Sequence, residues 1–280
     1  MKDGGSTSWR ALAIAALAAL VLFLAFYNLD RYPPIWYDEG IHLLFAQRLA
    51  KDGLYGFGPA LGPTVFFPVA AAFRVAGVGL VSARVVMAGY LCLCVAVFYA
   101  LARYLGDWRM AVVGTLLLIV SPGVNLLRWG RQMLGEVPAM LFALLSVLTW
   151  MWALDARGAA RRWLRLLLCG AFLALAILTK NQFFLLLPAW FLVWLADRLY
   201  YRQGRHVDLA IPAATAILCV ASWYVIQRYC FPVGERLAEH NVEEWSSALQ
   251  RGILNVSVER TIDALKFLFG QNAFYLWIVP

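Results

Sequence analysis

Asp38 and Glu39 stand side by side in Pro33-Pro34-Ile35-Trp36-Tyr37-Asp38-Glu39-Gly40, just past the first long apolar run of the chain. Adjacent carboxylates suit two kinds of chemistry: taking a proton from a hydroxyl nucleophile, or holding a divalent cation. Other ionisable residues interrupt apolar sequence further on. Glu136 follows Arg128 and Arg131 in one short polar stretch, and Lys180 stands between two apolar runs with almost no loop around it. A cation at that depth suits an anion held at headgroup level, such as a phosphate. His42 lies one helical turn past Asp38, so the two could share a metal, but no third donor stands at a fixed spacing. Each residue also has a plainer role open to it. Asp38 can be the N-cap of the helix that follows, Glu39 and Glu136 can sit against helix dipoles, and Lys180 can snorkel at a topology break.

The elements that must position these residues are membrane helices. Of 280 residues only 14% are charged, and the mean hydropathy is +0.71. Soluble domains carry nearer a quarter charged residues. The continuous Leu/Ala/Val/Phe runs have helix length and lack the alternation of a spanning β-barrel. The expected fold is therefore all-α, a polytopic transmembrane bundle read as a single domain over residues 1–280. The net charge of +8 is explained by arginines in short loops, which argues for topology and against nucleic acid as a partner. The five cysteines lie in or beside apolar runs with no metal-ligand spacing, and read as small buried apolar residues.

Seven spans are expected, over Ala11–Leu29, Val81–Ala102, Met110–Leu127, Val137–Leu154, Trp163–Thr179, Gln182–Ala196 and Leu209–Tyr229. Asn272–Pro280 reads as a partial eighth, so the chain is expected to be a fragment or truncated, or else to end in a membrane-dipping anchor. Residues 30–80 form the first loop. Within it Asp38–Lys51 reads as an amphipathic helix lying on the membrane, with Ile41, Leu44, Phe45 and Leu49 on its apolar stripe. Thr64–Val78 is too short to span and reads as interfacial or re-entrant. The loops at 103–109, 155–165 and 197–206 hold nine arginines, and the loops between them hold three basic residues. The positive-inside rule then places the N-terminus and the arginine-rich loops in the cytoplasm. Asp38, Glu39, Glu136 and Lys180 all fall on the external face. So does the acidic stretch Phe231–Arg260, which includes the sequon at Asn255.

Pro34–Gly40 with its amphipathic helix, Ser121-Pro122 through Arg128, Arg131 and Glu136, and Leu178-Thr179-Lys180 together resemble the N-terminal half of the GT-C glycosyltransferases. Within that group they are similar to the dolichyl-phosphate-mannose protein O-mannosyltransferases and the bacterial aminoarabinose transferases. The resemblance covers about residues 30–280. It implies a multi-pass enzyme of a bacterial plasma membrane that moves a sugar from a polyprenyl-phosphate carrier to a protein, lipid or glycan acceptor on the external face. By position, Asp38 is the expected catalytic carboxylate, Glu39 its partner and Glu136 the second-loop acid, where relatives often carry Asp. Lys180 is expected to contact the carrier phosphate, with Arg128, Arg131, Tyr37 and His42 as further substrate contacts. A divalent ion, if one takes part, would sit on Asp38 and Glu39.

The chemistry needs no nucleotide, because a lipid phosphate is itself a leaving group. Asp38 would accept the proton of an attacking hydroxyl, and the cations would stabilise charge growing on the phosphate, in a single inverting displacement. Were the acceptor itself a phosphate, no base would be required and the acidic pair would orient it. The competing readings are a polyprenyl-lipid transporter or flippase, and a non-catalytic membrane subunit whose acidic loop only caps a helix.

Overall fold

The computed structural model describes residues 4–55, 61–196, 198–199 and 205–231. The loop beyond Phe231, the sequon at Asn255 and the partial eighth span lie outside the described residues. The elements run α1 (Gly4–Phe26), α2 (Tyr37–Asp52), α3 (Pro63–Ala76), α4 (Leu80–Leu105), α5 (Trp108–Val120), α6 (Leu126–Trp129), α7 (Glu136–Leu154), α8 (Ala159–Thr179), a 3-10 turn (Asn181–Leu185), α9 (Leu186–Ala196) and α10 (His206–Cys230). Among the described residues no strand forms, and the chain is an all-α, multi-pass membrane protein.

Among the described residues, five helices are long and apolar enough to cross a bilayer: Trp9–Phe26, Leu80–Leu105, Glu136–Leu154, Ala159–Thr179 and His206–Cys230. The two other expected spans are shorter than the sequence suggests. Pro122 disfavours helical backbone at the residue before it, so α5 stops at Val120 after 13 residues instead of running to Leu127. Its start is fixed by Asp107, whose carboxylate accepts from the Met110 amide at 2.8 Å. The expected span from Gln182 opens as a 3-10 turn before becoming α9, which has 11 residues. α3 has 14 residues, too few to cross, as expected.

Among the described residues the bundle has three apolar clusters. One joins α2, α3 and the start of α4 around Val65, Phe66, Val69 and Met87. A second joins α1, α4, α5 and α7 around Leu91, Cys94, Ile119 and Val137. The third joins α8 to α10 around Leu173, Ile177 and Ala216. Helix direction alternates, so the chain returns repeatedly to the same two ends. One end gathers α2, α3, α6, the start of α7 and the close of α8. The other gathers the turns at 103–109 and 155–158 and the start of α10, where Arg162 pairs with Asp208 at 2.6 Å.

Two glycines make the first end compact. The Gly62 amide donates to the Thr179 carbonyl at 3.1 Å, and Leu61 and Lys180 form an antiparallel bridge. A Cβ on Gly62 would lie 1.4 Å from the Leu178 carbonyl oxygen, so only glycine allows this approach. Gly135, with φ of 82°, turns the chain into α7 where a Cβ would strike Leu61. The start of α3, the start of α7 and the end of α8 are thereby clamped together.

Candidate active site

α2 begins at Tyr37, with Trp36 as its extended N-cap residue and no side-chain cap. Asp38 is therefore not the N-cap that the sequence suggests. Its own backbone is already helical, and its exposed carboxylate makes no hydrogen bond or ion pair among the described residues. It still stands in the first turn, where the helix dipole favours a negative charge.

The face of α2 turned to the protein also differs from the expected one. Its buried residues are Glu39, His42, Ala46 and Leu49, while Leu44 of the predicted apolar stripe is 59% exposed. The reason is Arg84, in the second turn of α4. Arg84 and Glu39 are both fully buried, joined by Nε–Oε1 at 2.9 Å and a second guanidinium contact to Oε2 at 2.7 Å. Arg84 also donates to the Leu29 carbonyl at 2.9 Å, and the Met133 amide approaches Glu39 Oε1 at 3.4 Å. A buried arginine requires such a partner, and only the Glu39 face of α2 supplies one. Sequence reasoning missed Arg84, although a lone cation near the start of an apolar helix was a visible signal.

Four of the residues singled out by sequence meet in one cleft. Asp38 and His42 from α2, Glu136 from α7 and Lys180 at the end of α8 line a space of about 310 Å³, together with Trp36, Ile41, Trp129 and Leu134. Lys180, 8% exposed, donates to the Leu134 carbonyl at 3.3 Å and to a carboxylate oxygen of Glu136. The other oxygen of Glu136 is enclosed with no hydrogen-bond partner. His42 Nδ1 lies 2.7 Å from the Met133 carbonyl oxygen. A carbonyl only accepts, so Nδ1 carries the proton and Nε2 is the unprotonated nitrogen of the neutral ring. Burial lowers the His42 pKa, opposed by the Met133 bond and by Asp38.

The remaining candidates flank the cleft. The Arg128 guanidinium lies over the rings of Trp36 and Trp129, at 5.8 and 5.3 Å from their centroids, and its Nε is buried without a partner. Arg131 turns away toward the exit of α1, donating to the Tyr27 carbonyl and lying 5.4 Å from the Tyr32 ring. Burial and the nearby Arg84 lower its pKa. Tyr37, 80% exposed, does not line the cleft. Gln132, which sequence reasoning did not select, is buried and donates to the Pro34 carbonyl at 2.8 Å, fixing the double-proline segment.

With Glu39 committed to Arg84, the expected Asp38–Glu39 pair does not fit a metal ion. Among the described residues no group of three or more His, Cys, Asp or Glu side chains is arranged to hold one.

The neighbouring apolar groove is larger, about 610 Å³, and is lined by residues including Thr64, Phe67, Tyr90, Leu178, Leu218 and Trp223. Leu178 lines the groove and Lys180, two residues on, lines the cleft. The segment between them is the one bridged to Leu61 and Gly62.

Several solved structures share this fold. The Cupriavidus metallidurans ArnT bound to undecaprenyl phosphate is 19% identical, with a TM-score of 0.64 over 84% of this chain and 43% of its own. The S. cerevisiae protein O-mannosyltransferase Pmt1-Pmt2 complex bound to the sugar donor is 18% identical, with a TM-score of 0.64 over 78% of this chain and 33% of its own. The Archaeoglobus fulgidus oligosaccharyltransferase is 14% identical, with a TM-score of 0.61 over 95% of this chain and 40% of its own. The chain thus spans less than half the length of these proteins. No curated protein matches the chain in sequence. The family model for dolichyl-phosphate-mannose-protein mannosyltransferase matches residues 58–233, a stretch that starts after Asp38 and Glu39 and takes in Arg84, Glu136 and Lys180. With more than half its length matched, the chain belongs to the dolichyl-phosphate-mannose-protein mannosyltransferase family.

Proposed function

We propose that this chain carries the active-site end of a membrane glycosyltransferase that moves a sugar from a polyprenyl-phosphate carrier to an acceptor hydroxyl. The observation that carries the reading is the convergence of Asp38, Glu136 and Lys180 on one cleft, beside an apolar groove. A polyprenyl-phosphate sugar has a matching shape: a long apolar tail, one charged phosphate and a polar sugar.

In this reading the prenyl tail lies along the groove and the phosphate meets Lys180, with Arg128 as the second cation. Asp38 is the catalytic carboxylate. It takes the proton of the acceptor hydroxyl as the oxygen attacks the anomeric carbon, and the bond to the phosphate oxygen breaks with its electron pair leaving on the phosphate. The anomeric centre inverts. Stabilisation of the departing phosphate by fixed cations supplies the electrostatic part of the catalysis. Glu39 acts at one remove: its ion pair with Arg84 sets the rotation of α2 and so aims Asp38 at the cleft. The arginine-rich turns support an orientation with the N-terminus in the cytoplasm and the cleft on the external face of a plasma membrane. Grouping of the ionisable residues at one end favours transfer over transport, because transporter sites lie near the bilayer midplane.

The test uses membranes or purified full chain with a radiolabelled polyprenyl-phosphate sugar and its endogenous acceptors. Wild type transfers label, and Asp38→Asn lowers transfer by about 10²-fold or more, the usual weight of a general base. Unchanged transfer by Asp38→Asn sinks the catalytic assignment.

A further inference from the structure

Lys180 already has an anion within the protein. Its ammonium contacts one oxygen of Glu136 and the Leu134 carbonyl, which leaves one N–H for anything else. We propose that Glu136 is a specificity-determining residue that stands in for the donor phosphate: it holds Lys180 before donor binds and yields only to an anion richer in acceptor oxygens. This inference rests on the reading of the cleft as the phosphate end of the donor site.

The two partners are not equally free to move. The Lys180 backbone is extended, bridged to Leu61 and flanked by the Thr179–Gly62 hydrogen bond at 3.1 Å. The Thr179 and Thr64 hydroxyls meet at 2.6 Å, and Tyr90 donates to the Thr64 carbonyl at 2.6 Å. Lys180 therefore presents its ammonium from a fixed base. Glu136 is the first residue of α7, directly after the left-handed Gly135, and its side chain is 43% exposed. It is the member that can swing aside.

The pairing is also incomplete. Glu136 satisfies one oxygen on Lys180 while the other is enclosed without a donor, an arrangement that costs free energy. Displacement does not strand the carboxylate, because at the first turn of α7 the helix dipole still favours its charge. A carboxylate or halide replacing it exchanges one weak single contact for another. A phosphate brings more acceptor oxygens and can also engage Arg128, whose guanidinium makes no hydrogen bond or ion pair among the described residues and is held by Trp36 and Trp129. The exchange therefore favours a phosphate ester and rejects simpler anions.

The test measures binding of polyprenyl phosphate without its sugar to the full chain in lipid nanodiscs, with sodium acetate and inorganic phosphate as competitors. Wild type binds saturably. Glu136→Gln binds about fivefold tighter or more, as expected for release of a partly exposed ion pair, and becomes easier for acetate to compete. Glu136→Asp behaves as wild type. Lys180→Met weakens binding, and adding Glu136→Gln to it changes nothing further, because the two residues act through one contact. In turnover, Glu136→Gln lowers the donor KM. Glu136→Gln that keeps a native circular dichroism spectrum yet binds no tighter overturns the inference. So does a fall in kcat with KM unchanged, which would make Glu136 a group acting in the chemistry. If wild type fails to bind polyprenyl phosphate, the functional reading falls and takes this inference with it, whereas binding without tightening removes only the inference.

Discussion

The two ends of the bundle use charge in opposite ways. At the α2–α3 end, Glu39, Arg84 and Lys180 are buried and each has an opposite charge as its partner. At the other end, Arg157 and Arg161 are exposed and carry no partner among the described residues. An arginine at a helix end that water and headgroups reach costs little and serves orientation. A charge drawn into the protein must be compensated, so its presence signals a requirement that apolar packing could not meet. Number of charges is a poor guide to where the chemistry lies; cost of placement is a better one. Asp208, 1% exposed and tied to Arg162, is the exception at the arginine end, and it sits at the start of α10 where it joins two helices.

That contrast can be broken by substitution. The largest effect is expected from Arg84→Met, which leaves Glu39 buried and unpaired and costs about 3–5 kcal/mol, read as thermal unfolding in detergent. The double variant Arg84→Met/Glu39→Gln should recover most of the loss, and if it does not, the cost was not one of charge. Gly62→Ala forces α3 and α8 apart and is expected to cost about 1–3 kcal/mol in the same assay, with loss of polyprenyl-phosphate binding because Lys180 shifts with the bridge. Arg162→Ala leaves buried Asp208 with only the Arg205 amide as a donor and should also cost about 1–3 kcal/mol, but leave binding intact, which separates structural from functional charge.

A smaller effect concerns His42. Its pKa is lowered in the fold by burial, so the native state binds fewer protons than the unfolded chain as pH falls into the ordinary histidine range. Its contribution is intact above that range and is lost as pH falls through it. His42→Gln should flatten this acid-side slope in a series of unfolding curves. Smallest of all, Arg157→Gln should change stability by less than about 0.5 kcal/mol and leave transfer unaltered.

Much of this organisation is visible in the sequence. Apolar runs mark the helices, because a membrane helix hides its backbone within itself and needs only length and composition to declare it. The arginine-rich and arginine-poor loops sort the ends. Asp38, His42, Glu136 and Lys180 meet in one cleft because alternating helices return them to the same end. The rotation of α2 was not legible. Its periodicity offers Ile41, Leu44, Phe45 and Leu49 as the obvious buried stripe, and only a tertiary partner 45 residues away reverses the choice. Two neighbouring carboxylates thus separate, one fully buried against Arg84 and the other left open at the cleft. Arg128 and Arg131, three residues apart, separate in the same way around the short α6. The end of α5 was legible in principle from Ser121-Pro122, but the apolar residues beyond it hid the break.

The Glu39–Arg84 pair also bears on how the chain is made. A ribosome delivers α2 before α4, so the acid is synthesised ahead of the base. When α4 enters the bilayer with an arginine in its second turn, its partner already exists at the membrane edge. A lone arginine at mid-helix would oppose insertion by about 2.5–3.5 kcal/mol, and Arg84 lies near the helix start, where the charge can wait at the interface. Chain order therefore supplies the counter-charge before it is needed, and the first tertiary contact of the site can form while the later helices are still being translated.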